Sequence, residues 1–329
     1  MLRAPSVGVL DAIGNTPLIE LQRLAAPAPI RVWAKLEAAN PGGSTKDRPA
    51  ARIIADALED GSITPWTTVI ESTSGNMGVG LAQSCRYHGI PLICVVDSRA
   101  TVRNVRTLRA LGADVRVVET PDPETGDLLV ARRKLVAELL EATPHSFSPN
   151  QYANQSNPAA HADGTMREID EALDGELDYV FVATSTTGTL VGCADYLRAQ
   201  GRDTKVVAVD STGSALFGGV AATRQIPGLG AGIQTELSRW VEFDRLVRVT
   251  DLACVIGCRR IAQREALLAG GSSGGVAFAL ATVAPSIPTG SRCALIFPDA
   301  GAGYLDTVFD DDWVADELGC PPDRLAELV

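Results

Sequence analysis

Short, mostly uncharged runs rich in β-branched residues alternate with longer amphipathic runs along most of the chain. Parallel strands joined by crossover helices produce this alternation. A first group of strand-like runs covers residues 31–37, 68–72, 92–97 and 114–119, with helical patterns at 47–59, 75–88, 102–111 and 128–141. A second group covers 179–184, 205–210, 245–250 and 293–298, with helices near 187–199, 251–268 and 274–284. The scarcity of charge inside the strands predicts sheets covered on both faces. The pattern therefore predicts an α/β chain of two lobes, each a mostly parallel sheet covered by helices. Residues 145–158, rich in Ser, Pro, Asn and Gln, read as the crossing between the groups. Ligands of open α/β sheets bind beyond the carboxyl ends of the strands, so the chemistry is to be sought in the turns there.

Composition narrows the function. The 329 residues are 46% apolar, 21% charged and only 5% aromatic, which predicts an aliphatic core. A net charge of −11 argues against nucleic acid and anionic membrane surfaces and for a small-molecule enzyme. Any anionic ligand must then be held by a local constellation of donors. Seven scattered cysteines, without a C-x-x-C pair or clustered histidines, predict reduced and buried thiols. Cys254 and Cys258 share a helix face but read as core residues rather than metal ligands. With no apolar run long enough for a signal peptide or a membrane span, the expectation is a soluble, cytoplasmic protein.

Four segments follow strands and open helices. In Asn40-Pro41-Gly42-Gly43-Ser44-Thr45-Lys46-Asp47-Arg48-Pro49, Asp47 and Pro49 hold helix-opening positions, so Lys46 sits at a helix N-terminus. The dipole there disfavours an ammonium and suits an amine that must attack a carbonyl, although a plain loop lysine fits the same place. Glu71-Ser72-Thr73-Ser74-Gly75-Asn76-Met77-Gly78 offers backbone N–H groups to an anion, or simply helix-packing glycines. Ala183-Thr184-Ser185-Thr186-Thr187-Gly188-Thr189 lacks the lysine of a P-loop and suits a permanently bound phosphate, or an ordinary Ser/Thr-rich cap. Gly270-Gly271-Ser272-Ser273-Gly274-Gly275 again precedes a helical pattern.

The string Asn-Pro-Gly-Gly-Ser-x-Lys-Asp-Arg at 40–48 is similar to the cofactor-lysine motif of the cysteine synthase family, the fold type II pyridoxal-phosphate (PLP) enzymes of β-replacement. Gly14-Asn15-Thr16-Pro17-Leu18 and the later segments resemble the same family in the same order along nearly the whole chain. The resemblance implies PLP as cofactor and Lys46 as the lysine that holds it as a Schiff base. It implies Asn76 on the cofactor's 3′-oxygen and a phosphate cup of Ser185, Thr186, Thr187, Gly188 and Thr189. It also implies Ser272, or else Ser273, at the pyridine nitrogen. A hydroxyl there favours elimination at Cβ over transamination. The substrate carboxylate would meet Ser72, Thr73, Ser74, Gly75, Asn76 and Met77, with Gln151, or else Asn150, as its carboxamide partner. Gly228 opens the implied glycine loop, Gly228-Leu229-Gly230-Ala231-Gly232, beside the cofactor's edge. The implied lobes are a smaller, mobile one at 38–148, and a larger one at 1–37 and 149–329 that carries the phosphate site. Ser72, Met77, Ser185 and Thr187 depart from the commonest pattern, which has Pro, Thr, Gly and Gly there.

Glu71 to Asn76, Asn150 to Asn154, Ser185 to Gly188, Val207 to Asp210, Gly257-Cys258-Arg259 and Tyr304-Leu305-Asp306 agree better with one branch of this family. That branch supplies 2,3-diaminopropionate to siderophores and peptide antibiotics. It implies O-phospho-L-serine and L-glutamate as substrates, release of phosphate, and a homodimer. Gly230-Ala231-Gly232-Ile233 departs from the Gly-Ala-Ser-Arg of the branch, which removes an expected arginine. A sulfide-using cysteine synthase and a non-catalytic PLP-fold binding protein are the alternative readings.

Overall fold

The computed structural model describes residues 7–24, 28–73, 75–98, 100–124, 126 and 128–329. Ten strands occur among them: β1 (Leu18–Glu20), β2 (Arg31–Leu36), β3 (Thr68–Ser72), β4 (Leu92–Asp97), β5 (Asp114–Val118), β6 (Ser146–Phe147), β7 (Tyr179–Ala183), β8 (Lys205–Ser211), β9 (Arg245–Val249) and β10 (Arg292–Phe297). The chain divides into two compact units, one of residues 7–13 with Asn40–Asn157 and one of Gly14–Ala39 with Pro158–Val329.

The first unit holds a parallel sheet in the order β5-β4-β3-β6. Helix Asp47–Glu59 buries Ala50, Ile53, Ile54 and Ala57, the spacing of one helical face. That face joins Leu81, Ala82 and Cys85 of helix Asn76–His88 and the strand residues Val69, Cys94 and Val96 in one core. The two helices touch backbone to backbone. A Cβ on Gly80 would fall 2.9 Å from Ala50 Cβ and 3.0 Å from Lys46 O, so the close approach requires a glycine. Strand β6 lies within the segment read from sequence as the crossing. Its two residues pair with Thr68 and Val69, too short a run to show a period. Residues 7–13 go with this unit, where the sequence reading put them with the larger lobe. Gly8 lies against the Tyr87 ring of helix Asn76–His88, a contact no hydropathy pattern records.

The second unit holds a sheet in the order β1-β2-β10-β7-β8-β9, parallel except for the antiparallel edge strand β1. Its strands are apolar on both faces. On β10, Ala294 and Ile296 enter one core with Met166, Leu190 and Leu197, while Leu295 and Phe297 enter another with Val255, Ile261, Val276 and Leu280. This two-sided burial explains the nearly continuous apolar runs. A buried ion pair ties the 14–18 segment to the sheet. Lys35 Nζ lies 2.7 Å from Glu168 and donates to Thr16 O at 2.8 Å, and Glu168 accepts the Asn15 N–H at 2.9 Å.

Two helix boundaries move. Helix Asp251–Glu265 stops short of 268 because Ala266 turns left-handed, at φ 53°. Helix Gly271–Val283 starts three residues before the expected 274, which puts Ser272 and Ser273 inside its first turn. All seven cysteines are buried thiols, and burial pushes Cys258 up to about 12. Among the described residues no acid, His or Cys cluster could hold a metal, and no helix is long and apolar enough to cross a membrane.

Candidate active site

In the first unit, the turn before Lys46 is held by its own backbone and side chains. Gly43 N–H donates to Asn40 O at 2.8 Å, Asn40 Nδ2 to Ser44 O at 3.1 Å, and Gly42 N–H to the Asp47 carboxylate. Lys46 follows as the N-cap residue of helix Asp47–Glu59, its N–H on Ser44 Oγ at 3.2 Å and its side chain half-buried. The helix therefore begins without a side-chain cap.

The carboxylate loop leaves β3 beside this helix. Ser72 Oγ is buried with no hydrogen-bond partner, and Thr73 is buried with its N–H on Val95 O at 3.1 Å. Ser74 lies outside the described residues. Gly75 is the N-cap of helix Asn76–His88 and supplies no capping side chain, a helix start of the kind that suits an anion. The Met77 side chain faces the core. It is 3% exposed and packs in the core with Leu81 and Leu108, which leaves its backbone as its means of contact. Of the two candidate carboxamides, Gln151 is buried and Asn150 exposed.

Glu71 escaped the sequence reading. It is 6% exposed, accepts the Ser72 N–H at 2.9 Å, and also meets the backbone N–H groups of Asn150 and Gln151. Its Oε1 braces the start of the carboxylate loop, while its Oε2 is buried with no hydrogen-bond partner among the described residues. Burial raises its pKa to about 7 against the pull of those three N–H groups. An acid at a strand's end followed by a polar turn was the available signal, but acids at strand ends are common.

In the second unit, Thr184 Oγ1 donates to Val209 O at 3.0 Å and reaches Asp210 at 3.2 Å, fixing the end of β7 to β8. Burial raises the Asp210 carboxyl, and hydrogen bonds from Ser214, Ser211 and Thr184 oppose the shift. The cup follows. Thr187 adopts φ 69°, the left-handed region where the commonest pattern has Gly. Its hydroxyl donates to Thr186 O at 2.6 Å and meets Thr235 Oγ1 at 3.2 Å, so it does not cap helix Gly188–Ala199. Thr189 Oγ1 meets His161 Nε2 at 3.2 Å, and His161 Nδ1 meets Thr165 Oγ1 at 3.0 Å. His161 is fully buried and was also missed. Ser185 is half-buried, while Thr186 and Gly188 are buried.

Gly230 N–H donates to Thr184 O at 2.6 Å, which pins the glycine loop to the strand that precedes the cup. Gly228, at φ 76°, is exposed with open space around it. Ile233, where an arginine was expected, is exposed; the guanidinium beside this loop belongs to Arg224. Ser272 and Ser273 are both buried, and Ser273 Oγ has no hydrogen-bond partner. The turn before them is braced by Gly270 N–H on Asp299 O at 3.1 Å, Cys258 Sγ on Gly270 O at 3.3 Å, and Tyr304 Oη on Asp299 at 2.8 Å.

Four motif helices thus begin without a side-chain cap, at Lys46, Gly75, Thr187 and Gly270. Three others are capped by Thr101, Thr250 and Asp310. In each unit, open helix starts flanked by hydroxyls and glycines suit phosphate or carboxylate, and in the first unit one of them carries the Lys46 amine. Two mostly parallel, helix-covered sheets with these sites define a fold type II PLP enzyme. The chain belongs to the pyridoxal-phosphate dependent enzyme family, whose model matches residues 9–299. It is 41% identical over 307 residues, 93% of this chain and 90% of the relative, to the N-(2-amino-2-carboxyethyl)-L-glutamate synthase of Ralstonia nicotianae. Among solved structures it resembles the O-acetylserine dependent cystathionine β-synthase of Helicobacter pylori, with 32% identity, TM-score 0.84, and coverage of 93% of this chain and 99% of that one. It also resembles an O-ureido-L-serine synthase, with 30% identity, TM-score 0.85, and coverage of 95% and 100%. The chain is a PLP-dependent β-substituting enzyme. Its residues fit that cofactor: the uncapped start of helix Gly188–Ala199 suits a phosphate, and the unsatisfied hydroxyl of Ser273 marks a polar group awaiting a partner at the 270–275 turn.

Proposed function

We propose that the enzyme joins O-phospho-L-serine and L-glutamate into N-(2-amino-2-carboxyethyl)-L-glutamate with release of phosphate. The observation that carries this reading is the 41% identity to the Ralstonia synthase across nearly the whole chain. Lys46 would hold PLP covalently, Ser185 to Thr189 its phosphate, Asn76 its 3′-oxygen, and Ser272 its ring nitrogen. PLP supplies the electron sink that makes the α-proton of a bound amino acid acidic. Lys46 serves as the base that takes this proton from Cα and later returns it. Thr73, Gly75, Asn76 and the buried Gln151 hold the α-carboxylate, so that the Cα–H bond faces the lysine amine. Phosphate departs from Cβ, and the amine of glutamate replaces it there. The Thr73 N–H on Val95 O and the Ser72 N–H on Glu71 hold the start of this loop before substrate arrives, which lowers the entropic cost of orientation. The product is a precursor of 2,3-diaminopropionate. The enzyme acts in the cytoplasm as a homodimer, which sedimentation of the holoenzyme tests.

Lys46→Ala is expected to abolish turnover and the visible absorbance of the lysine-bound cofactor. An active, coloured variant removes Lys46 from its role. Incubation of wild type with phosphoserine and either glutamate or sulfide, read by product mass, tests the substrates. Cysteine formed faster than the glutamate adduct would make this a sulfhydrylase.

A further inference from the structure

Of the three histidines in the chain, His88 and His145 are exposed and His161 is fully buried. It opens a π-helical stretch, His161–Met166, which lies backbone to backbone against helix Gly188–Ala199. A Cβ on Gly192 would strike Pro158 O and fall 2.8 Å from His161 Cβ and 2.9 Å from Ala162 N, so the contact requires a glycine. This close approach sets the imidazole on the first turn of the helix that the cup opens. Nε2 lies 3.2 Å from Thr189 Oγ1, and Nδ1 lies 3.0 Å from Thr165 Oγ1. Thr165 is as fully buried as the ring, and Thr189 is 8% exposed.

The direction of these two hydrogen bonds decides what Thr189 can offer a ligand. Each hydroxyl carries one proton, and a neutral imidazole donates through one nitrogen and accepts through the other. If the Thr189 proton points at Nε2, the oxygen turns only lone pairs toward the cup. A phosphate there is itself an acceptor, so that arrangement sets lone pairs against lone pairs. If Nε2 carries the ring proton and donates to Thr189 Oγ1, the hydroxyl proton is left for the phosphate. Nδ1 is then the acceptor, and the Thr165 hydroxyl is placed to donate to it. The donors run in one direction, from Thr165 through His161 to Thr189, and each bond polarises the next. Thr187 already spends its proton on Thr186 O, so the cup relies on its other hydroxyls, Thr189 among them.

We propose that His161 is a positioning residue for the cofactor. As the Nε2–H tautomer it turns the Thr189 hydroxyl proton toward the PLP phosphate, and Thr165 fixes that tautomer. This rests on residues 185–189 forming the phosphate cup, and not on which amino acids react.

Labelling the holoenzyme with 15N-histidine reads the tautomer directly, because only three ring signals arise and the one lost in His161→Gln belongs to His161. The expected ring is protonated on Nε2 and bare on Nδ1. A bare Nε2, or a ring protonated on both nitrogens, overturns the proposal. Titration of the apoenzymes with PLP and with pyridoxal, which lacks the phosphate, gives the second readout. His161→Leu is expected to weaken PLP about tenfold and leave pyridoxal unchanged, since one hydrogen bond to a charged group is at stake. His161→Gln, whose amide keeps a donor near the place of Nε2, should recover most of that loss. In a Thr189→Val background, His161→Leu should cost nothing further. Equal weakening of PLP and pyridoxal would make His161 a packing residue and overturn the proposal, as would an undiminished cost in the Thr189→Val background. If Thr189→Val itself leaves PLP affinity unchanged, the cup reading fails and the proposal with it. If Thr189→Val weakens PLP while His161→Leu does not, the cup stands and the proposal alone is overturned.

Discussion

Thr187 and Thr250 occupy the same formal position in one unit, each the residue before a helix, and they behave in opposite ways. Thr250 is extended, at φ −82° and ψ 164°, and its Oγ1 accepts the Ala253 N–H at 3.1 Å. Thr187 is left-handed, and its hydroxyl turns away onto Thr186 O and Thr235. The first helix start is closed by its own N-cap hydroxyl; the second is not, and its Gly188 N–H makes a long bond, of 3.5 Å, to Thr186 Oγ1. Capping is worth about 1 kcal/mol to a helix, so omitting it is a cost that a bound anion can offset. The first unit repeats the contrast, with Thr101 capping one helix and Gly75 leaving another open.

The contrast can be broken at the open end. Thr187→Asp places a carboxylate where a phosphate is expected. Two like charges about 4 Å apart near a protein surface repel by about 4 kcal/mol, roughly a thousandfold in PLP affinity. Spectrophotometric titration of the apoenzyme measures this, and unimpaired PLP binding would remove the cup from the phosphate site.

Glu71 sharpens the contrast from the other unit, because it is a buried carboxyl that holds the Ser72 N–H while burial disfavours its charge. Its pKa is raised to about 7 in the folded chain, so its contribution to stability is complete below the ordinary carboxyl pKa and is lost as pH rises through about 7. Glu71→Gln, which cannot ionise, is expected to gain on wild type between about pH 4 and pH 8, by up to about 3 kcal/mol. Urea-unfolding midpoints across that range report the difference, and parallel curves would show that Glu71 does not titrate there.

The smallest effect belongs to the closed end. Thr250→Ala should cost about 1 kcal/mol of stability with PLP affinity unchanged. A loss of PLP affinity comparable to that of Thr187→Asp would erase the distinction between the two helix starts.

Much of the fold was legible because its determinants are local. The eight expected strands appear at nearly the expected positions, since two-sided burial makes each an apolar run whatever its neighbours, but the 31–37 run grouped with the first set is β2 of the second unit's sheet, paired with β10. Strands β1 and β6 were not legible, being three and two residues long and formed only by pairing with a longer partner. The motif around Lys46 was legible for a similar reason: a strand, a glycine turn and a helix start are adjacent in sequence. The burial of the Met77 side chain was not legible, because a helix's first turn looks alike whether it faces ligand or core. Glu71 and His161 carried no pattern of their own, since each acquires meaning only from a partner far along the chain.

The order of residues alone determined that this is an α/β chain with two mostly parallel sheets, that it is a PLP enzyme, and that its motifs lie where strands turn into helices. Only the tertiary structure decided which of those helix starts stay open. The choice depends on a φ angle at one residue, and distant contacts hold that angle: Thr235 against Thr187, and Gly230 against the strand end at Thr184. A hydroxyl has the same chemistry in both settings, and the fold alone settles whether it serves the chain or a ligand.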